Sequence, residues 1–217
     1  HDKGNTYRVI LDELRNAGYY TQTEILDGQY YVPQHRERTV IVGFKRPNIP
    51  FNLDKRDYIS DKKPILKDIL LSETEVDDKY ILSDHLWDYL KQRTLDQKAK
   101  GNGFEHGLVK SDGIARTLSA RYHKDGSEIL IFRGENHNPR RLTPRECARL
   151  MGFNDSFQIP VSNTQAYIQF GNSVVVPLFK DLAENLKLYI EGCINEISLD
   201  EFPVREGYQA ELTSELA

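Results

Sequence analysis

Apolar positions along the chain recur first at helical spacing and then in short extended runs. Tyr7, Ile10, Leu11 and Leu14 stand three or four residues apart, the stripe of an amphipathic helix that Asn5 can cap and Gly18 can close. Residues 19–26 and 29–32 flank Asp27-Gly28, a pair that supplies the positive φ angles of a type I′ turn, so a hairpin is expected there. Residues 39–44, "TVIVGF", form a continuous β-branched apolar run, which predicts a strand buried on both faces. The next stretch, 45–60, is rich in Pro, Asn and Asp, shows no period and reads as a linker or crossover.

Farther on, 64–71 and 84–95 carry helical patterns, the second with Leu86, Tyr89, Leu90 and Arg93 at helical spacing, and 98–107 reads as a loop. Residues 116–122 and 128–132 flank "HKDG", a turn signal, and predict a second hairpin. In "LTPRECARLMGF" Thr143 stands at a helix cap, Pro144 at the first helical position and Glu146 three after the cap, a capping box with a favourable Pro. Leu142 and Cys147 are spaced to close a hydrophobic staple, so Cys147 is read as packing. "FGNSVVVPLFKDLAENL" (170–186) predicts a Gly-Asn turn and an apolar helix with Pro177 in its first turns. The run over 39–44 is of the kind found in the middle of an α/β sheet.

Charge sharpens this picture. The net charge of −4 conceals thirteen bases against seven acids over 91–149. Residues 50–90 carry ten acids and six bases, and 191–217 seven acids and one base. A basic middle between acidic flanks is either the electrostatic footprint of a nucleic-acid partner or a lysine- and arginine-rich solvated face. Cys147 and Cys193 have neither metal-type nor redox-type spacing, which suits a reducing cytosol. No apolar run nears the ~20 residues that span a bilayer. A cytoplasmic protein with no membrane partner and no metal is expected.

The candidate chemistry begins at "PQHRER" (33–38), just ahead of the apolar run. If extended, the segment directs Gln34, Arg36 and Arg38 to one face. There they are either a solvated strand end or a row of donors aimed at a ligand beyond the strand.

Three segments in order resemble the C-terminal half of a DNA cytosine-5 methyltransferase. "PQHRER" and its strand are similar to the family's Gln-x-Arg-x-Arg motif, "RRLTPRECARLMGF" to its Arg-x-Leu-Thr-x-Arg-Glu motif and "QAYIQFGNSVVVPL" to its Gly-Asn-Ser-Val motif. The interval between the first two holds the target-recognition domain in that family, often with a Thr-Leu pair, here Thr117-Leu118. "GNGFEHGLVKSDGIARTLSARYHKDGSEILI" resembles, more narrowly, enzymes methylating a cytosine within CC…GG-type sites.

The resemblance implies the C-terminal part of a Rossmann-like methyltransferase domain with an inserted, smaller, β-containing recognition domain. Residues 1–44 and 162–190 would belong to the large domain, 45–161 to the recognition domain and 191–217 to an acidic tail. It also implies S-adenosylmethionine as cofactor and duplex DNA as partner. A thiolate adds to C6 of a flipped cytosine, C5 attacks the methyl group, and the C5 proton is removed. Arg36 and Arg38 would lie at the methyl-transfer pocket, with Arg38 stabilising charge at cytosine O2. Asn172, Ser173 and Val174 would complete the cofactor pocket. Arg116, Thr117, Leu118, Arg121 and Lys124 would face DNA.

The family's Pro-Cys nucleophile, its Phe-x-Gly-x-Gly cofactor loop and its Glu-Asn-Val motif are not in this sequence. Residues 1–217 alone are therefore expected to be inactive without the N-terminal half, in the same chain or in a separate subunit. Two alternatives stand beside this reading: a DNA-binding specificity subunit of a split enzyme, and a fragment of an RNA cytosine methyltransferase.

Overall fold

The computed structural model describes residues 2–45, 51, 63–103 and 105–194. The expected linker over 45–60 and the acidic tail fall almost wholly outside them. The chain divides into two compact units, one taking in described residues of 1–26, 38–57 and 182–217, the other those of 27–37 and 58–181. By this division 27–37 and 162–181 group with the middle of the chain, a different partition from the one the motifs suggest.

In the first unit, helix α1 spans Asn5–Asn16. It starts one residue earlier than a cap at Asn5 requires: Gly4 is the cap and the Asp2 carboxylate accepts from the Thr6 N–H at 2.9 Å. Gly18 closes it at φ +84, its N–H donating to the Arg15 carbonyl. No residue of α1 is buried. Strand β1 (Tyr20–Asp27) lies beside β2 (Glu37–Phe44) in a two-stranded sheet. Val40 and Val42 are buried, whereas Thr39 and Gly43 are exposed, so burial alternates where a strand covered on both faces was expected. Phe51 is buried edge-on against Phe44 and Tyr189.

The hairpin expected at Asp27-Gly28 does not form. The Asp27 carboxylate accepts from the Gln29 N–H at 3.1 Å and its side-chain amide at 2.6 Å, folding Gly28–Tyr30 into a 3-10 turn. Residues 29–32 therefore form no strand, and β1 pairs with β2.

In the second unit, the helix expected over 64–71 shrinks to a 3-10 turn, Leu66–Asp68. The N–H groups of Leu66 and Lys67 donate to the Gly113 and Ser111 carbonyls, so the backbone is engaged outside a helix. Helix α2 (Asp84–Ala99) starts at Ser83, whose hydroxyl accepts from the Leu86 N–H, and buries Leu90 beside Leu82 and Leu130.

The second hairpin is also absent. Strand β4 (Leu130–Ile131) pairs in parallel with β3 (Leu108–Val109) and antiparallel with β5 (Arg140–Arg141). Residues 116–122 are withheld from that sheet because Ala115 is already bonded to Pro33 and His35. The Tyr122 hydroxyl then donates to the Ile129 carbonyl at 2.7 Å and accepts from the Leu142 N–H at 2.8 Å. A buried side chain replaces the ladder.

Helix α3 (Pro144–Leu150) has the expected cap, with Thr143 and Glu146 satisfying each other's N–H groups. Helix α4 (Asn163–Asn172), capped by Ser162, had no counterpart in the sequence reading. Gly171-Asn172 closes this helix and makes no separate turn. Helix α5 (Val176–Ile194) follows with Pro177 at its second position. No helix among the described residues is long and apolar enough to cross a membrane.

Candidate functional site

Residues 33–36 form the centre of the second unit. Pro33 O accepts from Ala115 N–H at 2.8 Å, and His35 N–H donates to Ala115 O at 2.9 Å. These two bonds lay the arginine-rich segment alongside the Thr117-Leu118 pair. Gln34, fully buried, continues the junction: its amide oxygen accepts from Leu118 N–H at 2.7 Å and its nitrogen donates to Leu150 O at 3.3 Å. One side chain thus joins the arginine-rich segment, the Thr117-Leu118 pair and α3.

Arg36 adds the fourth segment. It is 3% exposed, and its guanidinium donates to Leu118 O at 2.7 Å, Gly171 O at 2.9 Å and Ser173 O at 2.8 Å. Five N–H groups in a rigid plane suit several carbonyl acceptors where an ammonium would not. The sequence pointed Arg36 at a ligand; in the structure these bonds are to backbone. Arg38 is exposed on β2. The two arginines therefore have different environments, although an extended segment predicts one shared face.

Close backbone approach completes the assembly. Gly171 faces Ser119 and Ala120 so tightly that a Cβ would overlap their backbone atoms. A Cβ on Gly28 would lie 2.9 Å from the Val175 side chain. At Gly152, whose φ is +82, Pro177 fills the space a side chain would need. The Gly-Asn-Ser-Val stretch is thereby braced against 28–36, 118–120 and 151–152. Asn172 and Val174 are exposed and Ser173 half-buried, so an amide, a hydroxyl and an isopropyl group stand on a braced segment. Such a set fits one wall of a pocket for an amphipathic cofactor.

The DNA-facing candidates separate by burial. Arg116 is exposed and bonded to Glu105. The Thr117 hydroxyl donates to His35 O at 2.8 Å. Leu118 is fully buried, so its side chain serves the core. Arg121 and Lys124 are exposed on the loop between Leu118 and Ile129. Much of the remaining basic charge is engaged within the protein: Arg140 with Glu146 and Glu73, Arg133 with Glu73, and Arg149 with Asp155. Arg145 donates to the Asn154 and Phe157 carbonyls.

Cys147 is fully buried, and burial, followed by the neighbouring Glu146 charge, pushes its thiol well above the ordinary range. It is a packing residue and no nucleophile. Burial likewise pushes the Tyr122 hydroxyl up, keeping it a neutral donor. Asp27, His35 and Glu37 bring ligand-type atoms within 4.8 Å of one another. The Asp27 oxygens already accept from Gln29, Arg36 N–H and His35, which makes the cluster a turn clasp.

Gly171 and Tyr122 were not singled out as site residues by sequence reasoning, and Gln34 was placed only in a row of possible donors, not at the junction it makes. The signal available for Gln34 was its place inside "PQHRER"; for Gly171 it was the glycine of "FGNS".

The comparisons agree with this architecture. The model of the family described as C-5 cytosine-specific DNA methylase matches residues 1–188. The chain is 44% identical to a DNA-cytosine methyltransferase of Escherichia coli, covering 89% of this chain and 48% of the relative. It is 47% identical to type II methyltransferase M.NlaX of Neisseria lactamica, covering 86% and 58%. The chain thus spans about half the length of the curated relatives it matches. Among solved structures, the Entamoeba histolytica methyltransferase EhMeth superposes with a TM-score of 0.62 at 21% identity, covering 88% of this chain and 59% of that one. The S. pombe Dnmt2 methyltransferase gives 0.61 at 21% identity, covering 87% and 64%. These two show a shared methyltransferase fold. With its three motifs joined through Gln34 and Arg36 and the family match running over 1–188, this chain belongs to the C-5 cytosine-specific DNA methylases.

Proposed function

We propose that the chain is the C-terminal portion of an S-adenosylmethionine-dependent DNA cytosine-5 methyltransferase. It carries target recognition and part of the catalytic and cofactor pockets. The observation that carries this reading is Arg36, whose guanidinium is bonded both to Leu118 of the recognition stretch and to Gly171 and Ser173 of the cofactor-side stretch.

Residues 1–44 and 162–190 would belong to the large domain and 45–161 to the recognition domain, with 191–217 as a tail. Exposed Val9 and Ile10 on α1 are the surface that the family's N-terminal half would cover. The cofactor supplies the methyl group when bound. Asn172, Ser173 and Val174 would hold one side of it, braced through Arg36. Arg38 would place positive charge at O2 of an extruded cytosine and stabilise charge that develops there. Arg121 and Lys124, with Arg116 and Thr117, would engage the DNA backbone and base edges. The narrower resemblance supports a CC…GG-type site.

The test is transfer of tritiated methyl from S-adenosylmethionine to duplex DNA and to tRNA by the full-length protein, and by residues 1–217 with and without the N-terminal half. Transfer to DNA only when both halves are present is expected. Transfer by residues 1–217 alone, or to tRNA in preference to DNA, would overturn the proposal.

A further inference from the structure

We infer that Glu128 is a positioning residue for DNA recognition, acting through Ser119 to set the loop that presents Arg121 and Lys124; this rests on the proposed DNA-binding role of that loop. The Glu128 carboxylate accepts from the Ser119 hydroxyl at 2.5 Å and the Ser119 N–H at 3.2 Å, closing the loop across nine residues. The same Ser119 hydroxyl accepts from the Arg121 N–H at 3.1 Å. One carboxylate therefore orients a hydroxyl that in turn fixes the backbone of the DNA-facing arginine. A carbonyl-to-amide bond from Arg121 to Lys124, 2.9 Å, carries the constraint to the second cation.

Both ends of the clasp are anchored. Gly107 packs so closely on the Glu128 carbonyl that no side chain fits at 107, and the neighbouring Ile129 and Leu130 are fully buried. On the other side, Ser119 and Ala120 are pressed against Gly171. Tyr122 pins the middle of the loop into the core. A loop held at its ends and middle leaves Arg121 and Lys124 exposed on an ordered frame, and pre-ordering spares the entropy of fixing them on binding.

The sign of the effect separates this role from plain electrostatics. A carboxylate near phosphate-binding cations repels DNA, so removing it should strengthen binding if charge were its only role. Positioning demands the reverse. In the full-length protein, Glu128→Ala should weaken binding to cognate duplex by about tenfold or more, with thermal stability and cofactor binding retained. Glu128→Gln, which keeps an oxygen for the Ser119 hydroxyl, should recover part of the loss. Ser119→Ala combined with Glu128→Ala should lose little beyond the single variants, because both break one device. Unchanged or tightened binding in Glu128→Ala, or fully additive losses, would overturn the inference. Arg121→Ala and Lys124→Ala, titrated at several salt concentrations, form the separate arm. If they leave affinity and salt slope unchanged, it is the DNA-binding reading of the loop that fails.

Discussion

Arg140 and Glu146 meet through two parallel bonds of 3.0 and 2.9 Å, and both side chains are sealed from water. The same carboxylate accepts from the N–H groups of Leu71 and Thr143, so a buried charge pair joins β5, the α3 cap and the segment before α2. Removing one partner of a buried pair typically costs about 3–5 kcal/mol. Arg140→Met should fall in that range. Glu146→Ala should cost at least as much, since it strands two further N–H groups. Urea unfolding measures both; losses below about 1 kcal/mol would show the pair to be dispensable.

Arg36 and Arg38 make a sharper pair of variants. Arg36→Ala leaves three carbonyls without their donor and should destabilise the protein by about 3 kcal/mol or more. Arg38→Ala, at an exposed position, should change stability by no more than about 0.5 kcal/mol. Its expected effect is on turnover, a loss of ~100–1,000-fold in the intact enzyme with DNA affinity largely kept. Parallel unfolding and methyl-transfer assays separate the two. An Arg38→Ala enzyme with normal turnover would remove it from the chemistry.

Gly171→Ala adds a single methyl group where Ser119 and Ala120 backbone atoms already stand. Backbone cannot yield as a side chain can, so a cost of about 1–3 kcal/mol is expected from overpacking. The recognition loop should be disturbed along with the cofactor-side segment. Amide exchange at Ser119–Tyr122 provides the readout, and protection identical to the parent's would contradict the close fit.

Acid should loosen one identifiable contact. Burial alone would raise the Glu73 carboxyl, but its bonds from Arg133 and Arg140 outweigh that and hold it below its ordinary 4.5. A depressed folded value gives stability that is complete above 4.5 and is lost as pH falls through the folded value. The stability difference between the parent and Glu73→Gln should therefore shrink as pH falls through and below the ordinary 4.5. A difference that stays constant over that window would mean that the ion pairs contribute nothing through Glu73's charge.

Legibility in the sequence followed the distance over which each signal acts. The α3 cap was readable because Thr143, Pro144 and Glu146 lie within four positions and bond to one another. The α/β class and the arginine-rich segment were readable from runs of similar length. The two hairpins failed for different reasons: Asp27 folds a tight turn onto Gln29, two positions ahead, whereas distant Pro33 and His35 hold Ala115. Helix α4 was missed because Asn163, Thr164 and Gln165 open it with polar residues and Gly171 sits near its end. The backbone partners of Arg36 were illegible for the same reason, since Gly171 and Ser173 lie 135 and 137 positions away.

Those separations also set a timetable for synthesis. Gln34 and Arg36 leave the ribosome long before Leu150, Gly171 and Ser173, the carbonyl partners that hold them. At ~5–20 residues per second, Arg36 waits roughly 7–27 seconds for Ser173 to be made. Its bond to the Leu118 carbonyl, and those of Gln34 to Leu118 and Leu150, have their partners sooner. The bonds from Arg36 to Gly171 and Ser173 are thus the last of the junction to become available on a growing chain, and any product ending before residue 171 would lack both.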